Sequence, residues 1–203
     1  MPVQTLTPKG RQTRTAIEQA ARKLFAERGF HGTTLADITS AAGKSPAVFY
    51  RYYTDKEDLL AALAESFLRE IVTPSGLSLH LPDSANDSEF FTSVVTGYWN
   101  MFKQNIGIMI AVAQLATTQQ RFAGVQNEFR RFGMDIVAAS VRRAQEQGHG
   151  TELDPEHTAA AIALLFENFT TVVVGRSSLG LEISDEDAIA TLSTIWKKTL
   201  YGF

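Results

Sequence analysis

The chain has 203 residues, 44% of them hydrophobic and 20% charged, with a formal net charge of −3 and no cysteine. That size and composition suit one large globular domain or two smaller ones with a sizeable core. They exclude disulfides and thiolate metal sites, and no run of about 18 apolar residues predicts a membrane span. The opening MPVQTLTPKGRQTR has no apolar h-region of a secretory signal, so a cytoplasmic protein is expected. The charge is uneven. Residues 1–60 hold nine Lys/Arg against six Asp/Glu, whereas residues 61–203 hold ten against sixteen. A basic head on an acidic body fits a head that meets nucleic acid and a body that does not.

Met1 to Gly10 reads as a flexible arm, with Lys9, Arg11 and Arg14 available to phosphates or a minor groove. A first helix is predicted from Arg11 or Thr13 to Arg28. Its apolar face is Ile17, Ala20, Ala21, Leu24 and Phe25, and Phe30 plugs the core beyond the stop at Gly29. A second helix starts with Thr34 as N-cap and Asp37 three residues on, and Gly43 ends it. Ser45 and Pro46 open a third, from Pro46 to Tyr53: a hydroxyl cap, then proline at the first helical position. Phe49 and Tyr53 form its apolar side, Val48 and Tyr52 flank it, and Tyr50 and Arg51 face outward. Thr54 and Glu57 read as a capping box for a fourth helix, Asp55 to about Ile71, with Leu59, Leu60, Leu63 and Phe67 inward. Two short helices across a tight turn make a helix-turn-helix, whose second helix enters the DNA major groove by its N-terminal end. An ordinary helical hairpin shares the same periodicity.

Gly43, Ser45, the aromatic pairs Phe49-Tyr50 and Tyr52-Tyr53, and Lys56-Glu57-Asp58-Leu59 follow one another in a specific order. With the preceding AIEQAARKLFAERGFHGTTLADI, they resemble the N-terminal domain of the tetracycline-repressor (TetR) family of bacterial regulators, over roughly Thr13 to Leu63. The resemblance implies an all-α fold: a three-helix DNA-binding head at 1–54 and a helical ligand-binding and dimerisation domain at 55–203. It implies phosphate contacts from Thr33, Thr34 and Lys56, and a backbone or base-edge contact from Tyr50. Ser45, Pro46, Ala47 and Val48 fall at the nose of the recognition helix, beside Arg51 and Tyr52. Lys44 stands where an apolar residue is common in the family, and its amine would add a phosphate contact. Ala47 and Val48 stand where glycine and threonine are frequent, so the operator cannot be carried over.

Thr73 to Asn86, with Pro74, Gly76 and Pro82, reads as a loop. Five apolar-patterned helices follow: Ser88 to Asn105, Ile106 to Gln119, Arg121 to Gln147, Pro155 to Leu179 and Ser184 to Tyr201. No strand pattern competes. The last two carry more apolar surface than one face needs, in line with the pairing of two final helices in a homodimer that the resemblance implies. Tyr98, Trp99, Phe102, Met109, Phe122, Phe129 and Phe166 would supply large apolar walls for a small-molecule effector, unless they are plain core. Glu167 and Asn168 interrupt an apolar run and need polar partners, solvent or a second subunit.

Gly43-Lys44-Ser45 mimics the end of a phosphate-binding loop, but Ile38 stands where that loop needs glycine. The four histidines show no ligand spacing. No catalytic residue, metal or cofactor is expected, and no membrane partner. The expected function is a DNA-binding regulator, a repressor of a palindromic double-stranded operator released by a small apolar or amphipathic ligand. Two alternatives stand beside it: a helix-turn-helix DNA binder without an inducer, and a helical enzyme or carrier.

Overall fold

The computed structural model describes residues 7–72, 81–84, 86–175 and 180–202. Among the described residues the chain is helical and holds no strand. The helices are α1 (Pro8–Arg28), α2 (Leu35–Ala41), α3 (Pro46–Phe49), α4 (Lys56–Val72), α5 (Ser88–Gln104), α6 (Ile106–Ala116), α7 (Gln120–Glu146), α8 (Pro155–Val174) and α9 (Asp185–Tyr201). They form two compact units: Met1–Arg69 with Gly107–Val125, and Glu70–Ile106 with Gln126–Phe203. The first unit therefore extends past the expected boundary at residue 54. It takes in most of α4 because Leu59, Leu60, Leu63 and Phe67 are buried.

In the first unit, α1 begins earlier than expected. Thr7 accepts a hydrogen bond from the Gly10 N–H, and Pro8 follows at the first helical position, where its missing N–H costs nothing. Pro8 to Gly10 are therefore helix rather than arm; Met1 to Leu6 lie outside the described residues. Ile17, Ala21, Leu24 and Phe25 are buried, and Phe30 packs its ring 5.3 Å from that of Phe25. The start of α6 comes against the end of α1 at Gly107. A β-carbon there would lie 2.5 Å from the backbone nitrogen of Ala26 and from the carbonyl carbon of Phe25. Only glycine permits that approach.

Two helix starts are capped differently from expectation. The Ser45 side chain makes no cap hydrogen bond. The fourth helix is capped by Asp55 and Asp58 instead of Thr54 and Glu57: Asp55 accepts from the Asp58 N–H at 2.7 Å, and Asp58 accepts from the Thr54 N–H at 3.0 Å. A carboxylate accepts more strongly than a hydroxyl, and its use leaves Glu57 to accept from the Gln119 amide. In the same unit Arg121 reaches Asp58 and Glu65.

The second unit is built on two tryptophans. Trp99 on α5 and Trp196 on α9 are both fully buried. Phe90 and Phe91 meet Trp196 edge-on at 5.6 and 5.1 Å, a favoured aromatic geometry. The Trp196 Nε1 donates to Ser140 Oγ, which itself donates to the Val137 carbonyl, so this indole is satisfied. Asp154 and Ser184 cap α8 and α9 through the backbone N–H of His157 and Asp187. Residues 176–179, where α8 was expected to end, and residues 73–80 and 85 of the expected loop lie outside the described residues.

By length and composition α8 would suffice to cross a membrane. It instead lays Ala159, Ile162, Phe166 and Thr170 into the core of the second unit. Leu164 and Leu165 remain exposed on its other side, at 48% and 42%, and Ile195 on α9 is also exposed. An apolar helix with one face covered and another bare has surface left for a second molecule.

Candidate nucleic-acid interface

The site starts from how α2 ends. The Gly43 N–H donates to the Ser40 carbonyl and the Lys44 N–H to the Thr39 carbonyl, with Gly43 at φ +63. This paired pattern is the Schellman stop, and it turns the chain sharply into Ser45 and Pro46. The third helix is shorter than expected. It is α-helical over Pro46–Phe49, after which Tyr52 N–H donates to the Phe49 carbonyl in a tighter, three-residue turn.

Phe49 is fully buried and Tyr53 nearly so, their rings 5.6 Å apart. Tyr53 Oη donates to Glu18 Oε1 at 2.6 Å, and Arg14 Nε donates to both Glu18 Oε1 and Tyr53 Oη, at 2.8 and 3.1 Å. Burial, then the neighbouring carboxylate of Glu18, push the Tyr53 phenol well above its usual range, so it stays a neutral donor. The triangle fastens the end of the α3 turn to α1. Arg14, expected to lie at the end of the arm, thus braces α1 to the α3 turn through its Nε.

With Phe49 and Tyr53 held inward, a small outward surface is fixed. Ser45, Pro46, Ala47 and Arg51 are exposed, and Tyr50 is 60% exposed. Its ring rests edge-on against Phe49 at 5.7 Å, which orients it. Lys44, Val48 and Tyr52 are half-buried at the border of this patch.

The three residues expected to meet phosphates also bond within the protein. Thr33 is fully buried, and its hydroxyl donates toward the Gly29 carbonyl at 2.8 Å and the Leu24 carbonyl at 3.3 Å. It locks the end of α1, so its side chain is not offered to DNA. Thr34 is exposed, but its hydroxyl donates to Asp37 Oδ2 at 2.6 Å while accepting from the Asp37 N–H. That hydrogen bond from Thr34 holds the Asp37 carboxyl below its ordinary range. Lys56 Nζ donates to the carbonyls of Phe30 and Thr33, both at 2.7 Å, and lies 4.2 Å from the Phe30 ring centroid. Partial burial draws its pKa down. An ammonium has three donors, so one N–H of Lys56 is left for a phosphate. Sequence reasoning missed these bracing roles because the partners of Tyr53 and Lys56 lie 35 and 23 to 26 residues away in the chain.

Lys56→Ala is expected to act twice. The slope of log affinity against log salt should fall by about 1. The head should also lose about 1–2 kcal/mol, since two carbonyls lose a charged donor at a partly exposed site. Salt titrations in a gel-shift assay with thermal melts separate the two. A fall in melting temperature with an unchanged slope would make Lys56 a brace alone.

The apolar set expected for an effector divides. Met109 and Phe122 belong to the first unit. Tyr98, Trp99, Phe102, Phe129, Phe166, Glu167 and Asn168 belong to the second. Trp99, Phe102 and Phe166 are buried, and Tyr98 rings lie 5.8 and 5.7 Å from Phe102 and Phe166. Glu167 is gripped by Arg130 through two hydrogen bonds, at 2.6 and 2.8 Å, and accepts a third from Gln126. Asn168 is exposed, so it does not face the interior beside Glu167; neighbouring helical positions point about 100° apart. Among the described residues, Tyr98 Oη, Trp99 Nε1 and Thr170 Oγ1 are enclosed without a hydrogen-bond partner.

Comparison with known proteins places this geometry. The family model for bacterial regulatory proteins of the tetR family matches residues 17–63, which span α1 through the first half of α4. The HTH-type transcriptional repressor AcnR of Corynebacterium glutamicum is 36% identical over 72 residues, 34% of this chain and 38% of that protein. The HTH-type transcriptional regulator UidR of Escherichia coli is 27% identical over 162 residues, 78% of each. The head is that of a TetR-family regulator. Beyond the head, the fold is shared with a solved FadR regulator from Bacillus subtilis, crystallised with stearoyl-CoA: TM-score 0.65 at 18% identity, over 93% of this chain and 98% of that one. As a TetR-family protein the chain is a DNA-binding transcriptional regulator and not an enzyme. Its helix-turn-helix is α2 and α3.

Proposed function

We propose that the protein is a dimeric repressor that binds a palindromic operator through two copies of the α3 turn and leaves it when a small apolar or amphipathic ligand enters the helical body. One observation carries the reading. Tyr50, Arg51 and the Ser45–Ala47 edge stand exposed on a turn whose inner residues are pinned by Glu18, Arg14 and the aromatic core. A tyrosine held outward on a rigid turn offers both an apolar ring face and a hydroxyl to a partner. Ala47 and Val48 present methyl groups suited to a thymine methyl, and Arg51 is the long donor of the patch.

A lone head covers about half a turn of DNA, so a two-fold dimer is needed to reach the second half-site. The bare leucines of α8 and Ile195 of α9 support dimerisation through the last two helices. The repressor outcome is supported by AcnR, which is named a repressor. A small ligand is supported by the stearoyl-CoA complex of FadR, a statement about that protein which motivates the same search here. In functional terms the head is residues 1–54 and the effector and dimer domain 55–203, acting in the cytoplasm. Both α4 and α7 run through the two compact units. They are the helices along which a ligand-favoured conformation would reach the head, with a coupling of about 1–3 kcal/mol.

Sequencing of genomic DNA retained by the purified protein tests this. An inverted repeat with half-sites about one or one and a half helical turns apart is expected. Retention of DNA without any shared sequence would leave only non-specific binding and defeat the repressor reading.

A further inference from the structure

The body contains two hydroxyls that lack a use. Thr170 on α8 is fully buried, Tyr98 on α5 presents an enclosed Oη, and beyond each other neither hydroxyl meets a hydrogen-bond partner. Burial holds the phenol above its usual range as a neutral donor, against a hydrogen bond with the adjacent Thr170 that lowers its pKa and with the Glu167 charge adding to the rise. Hydroxyls that bonded one another would still leave one O–H without an acceptor, because the pair has two protons and only one mutual bond. A buried donor left unmet costs about 1–3 kcal/mol. Such groups persist in a fold when something other than the protein meets them.

The charges around them decide what that something is. Glu167 sits one turn before Thr170 on α8, and Arg130 is the cation beside it. Arg130 places Nε and Nη2 on Glu167, and Gln126 gives the carboxylate a third hydrogen bond. The pair is locally neutral. An entering carboxylate or amine would bring an unbalanced charge beside this neutral pair. Either would be buried unpaired, at a cost well beyond that of a neutral group. A carbonyl oxygen has two lone pairs and no charge, and can accept from both hydroxyls. The rings of Phe102 and Phe166, packed against Tyr98, suit an apolar remainder.

We propose that Tyr98 and Thr170 hold the polar end of the effector, and that this end is an uncharged hydrogen-bond acceptor, a ketone, ester or amide carbonyl, on an apolar body. This rests on reading the body as the effector domain.

Two measurements on the full chain test it. Without ligand, Tyr98→Phe and Thr170→Val each remove a hydroxyl and keep the shape. Both should melt close to the wild-type temperature, because at most the bond between the two hydroxyls is lost and one unmet donor goes with it. A drop of more than about 3 °C in both would show that the hydroxyls are partnered within the protein, and would overturn the proposal. Binding of 2-undecanone, of undecanoate at neutral pH and of the neutral dye Nile red is then followed by tryptophan fluorescence and thermal shift. The ketone should bind at least tenfold more tightly than the carboxylate and lose about tenfold in the double variant. Equal or tighter binding of undecanoate overturns the proposal, as does ketone binding that ignores both substitutions. If Nile red binds and the ketone does not, the carbonyl anchor fails while the effector domain stands. If none of the three binds, both fail.

Discussion

Leu164→Glu is expected to convert the protein to a monomer and to weaken operator binding by more than a hundredfold, with its helicity and melting behaviour nearly intact. Leu164 is 48% exposed, so the carboxylate enters water and leaves the core of the unit undisturbed. In a two-fold dimer the same position comes from both copies, and each carboxylate is desolvated or faces its like. Loss of the dimer costs the second half-site. A single head then binds with its own affinity, without the high effective concentration that the linked pair provides. Light scattering gives the mass, and a gel shift on the full operator gives the affinity. Arg142→Glu is the matched control: it is exposed on α7, pairs with Glu156 and should leave the mass unchanged. A dimer that survives Leu164→Glu at micromolar concentration would place the interface on another surface.

Gly107→Val is expected to produce the largest loss of stability of any single exposed or half-buried position considered above. The added β-carbon would lie 2.5 Å from two backbone atoms of α1, at Phe25 and Ala26. A backbone cannot swing aside as a long side chain can, so α6 must back away from α1. Overpacking of this kind costs about 1–3 kcal/mol, and a branched side chain belongs at the upper end. For a chain of this size that is a fall of roughly 4–10 °C in melting temperature. Gly124→Ala in α7 provides the contrast. A β-carbon there meets nothing within 4 Å, and the substitution should stabilise by about 0.5–1 kcal/mol through helix propensity. Equal melting temperatures for Gly107→Val and wild type would mean that α6 does not seat on α1.

The sequence was a good guide wherever the physics is short-ranged. Thr34 with Asp37, Gly43 in the left-handed conformation, Pro46 at a helix start, and the alternation of buried Phe49 and Tyr53 with exposed Tyr50 are each settled within four residues. All are visible as spacing. The misplacements have physical reasons of two kinds. Some are competitions between adjacent caps: Asp55 and Asp58 outcompete Thr54 and Glu57, and Thr7 draws α1 back to Pro8. Others are tertiary. A threonine beside a glycine turn reads as a free hydroxyl until the Leu24 and Gly29 carbonyls are found around it. Glu167 was legible as a polar residue needing a partner, but nothing in the sequence pointed to Arg130, 37 positions earlier. Orphaned hydroxyls cannot be read from a sequence, since a donor is known to lack an acceptor only when all its neighbours are placed.

The central claim is that the turn from Pro46 to Tyr53 lies against base edges, and a photocrosslinking residue put in place of Tyr50 tests it most directly. On a bound operator, crosslinks from position 50 should fall on bases within each half-site, symmetrically about the dyad, and disappear with competitor operator. The same residue at position 31, exposed on the turn after α1, should give no base-specific crosslink. Crosslinks from position 50 that reach only protein, or DNA without regard to sequence, would contradict the account.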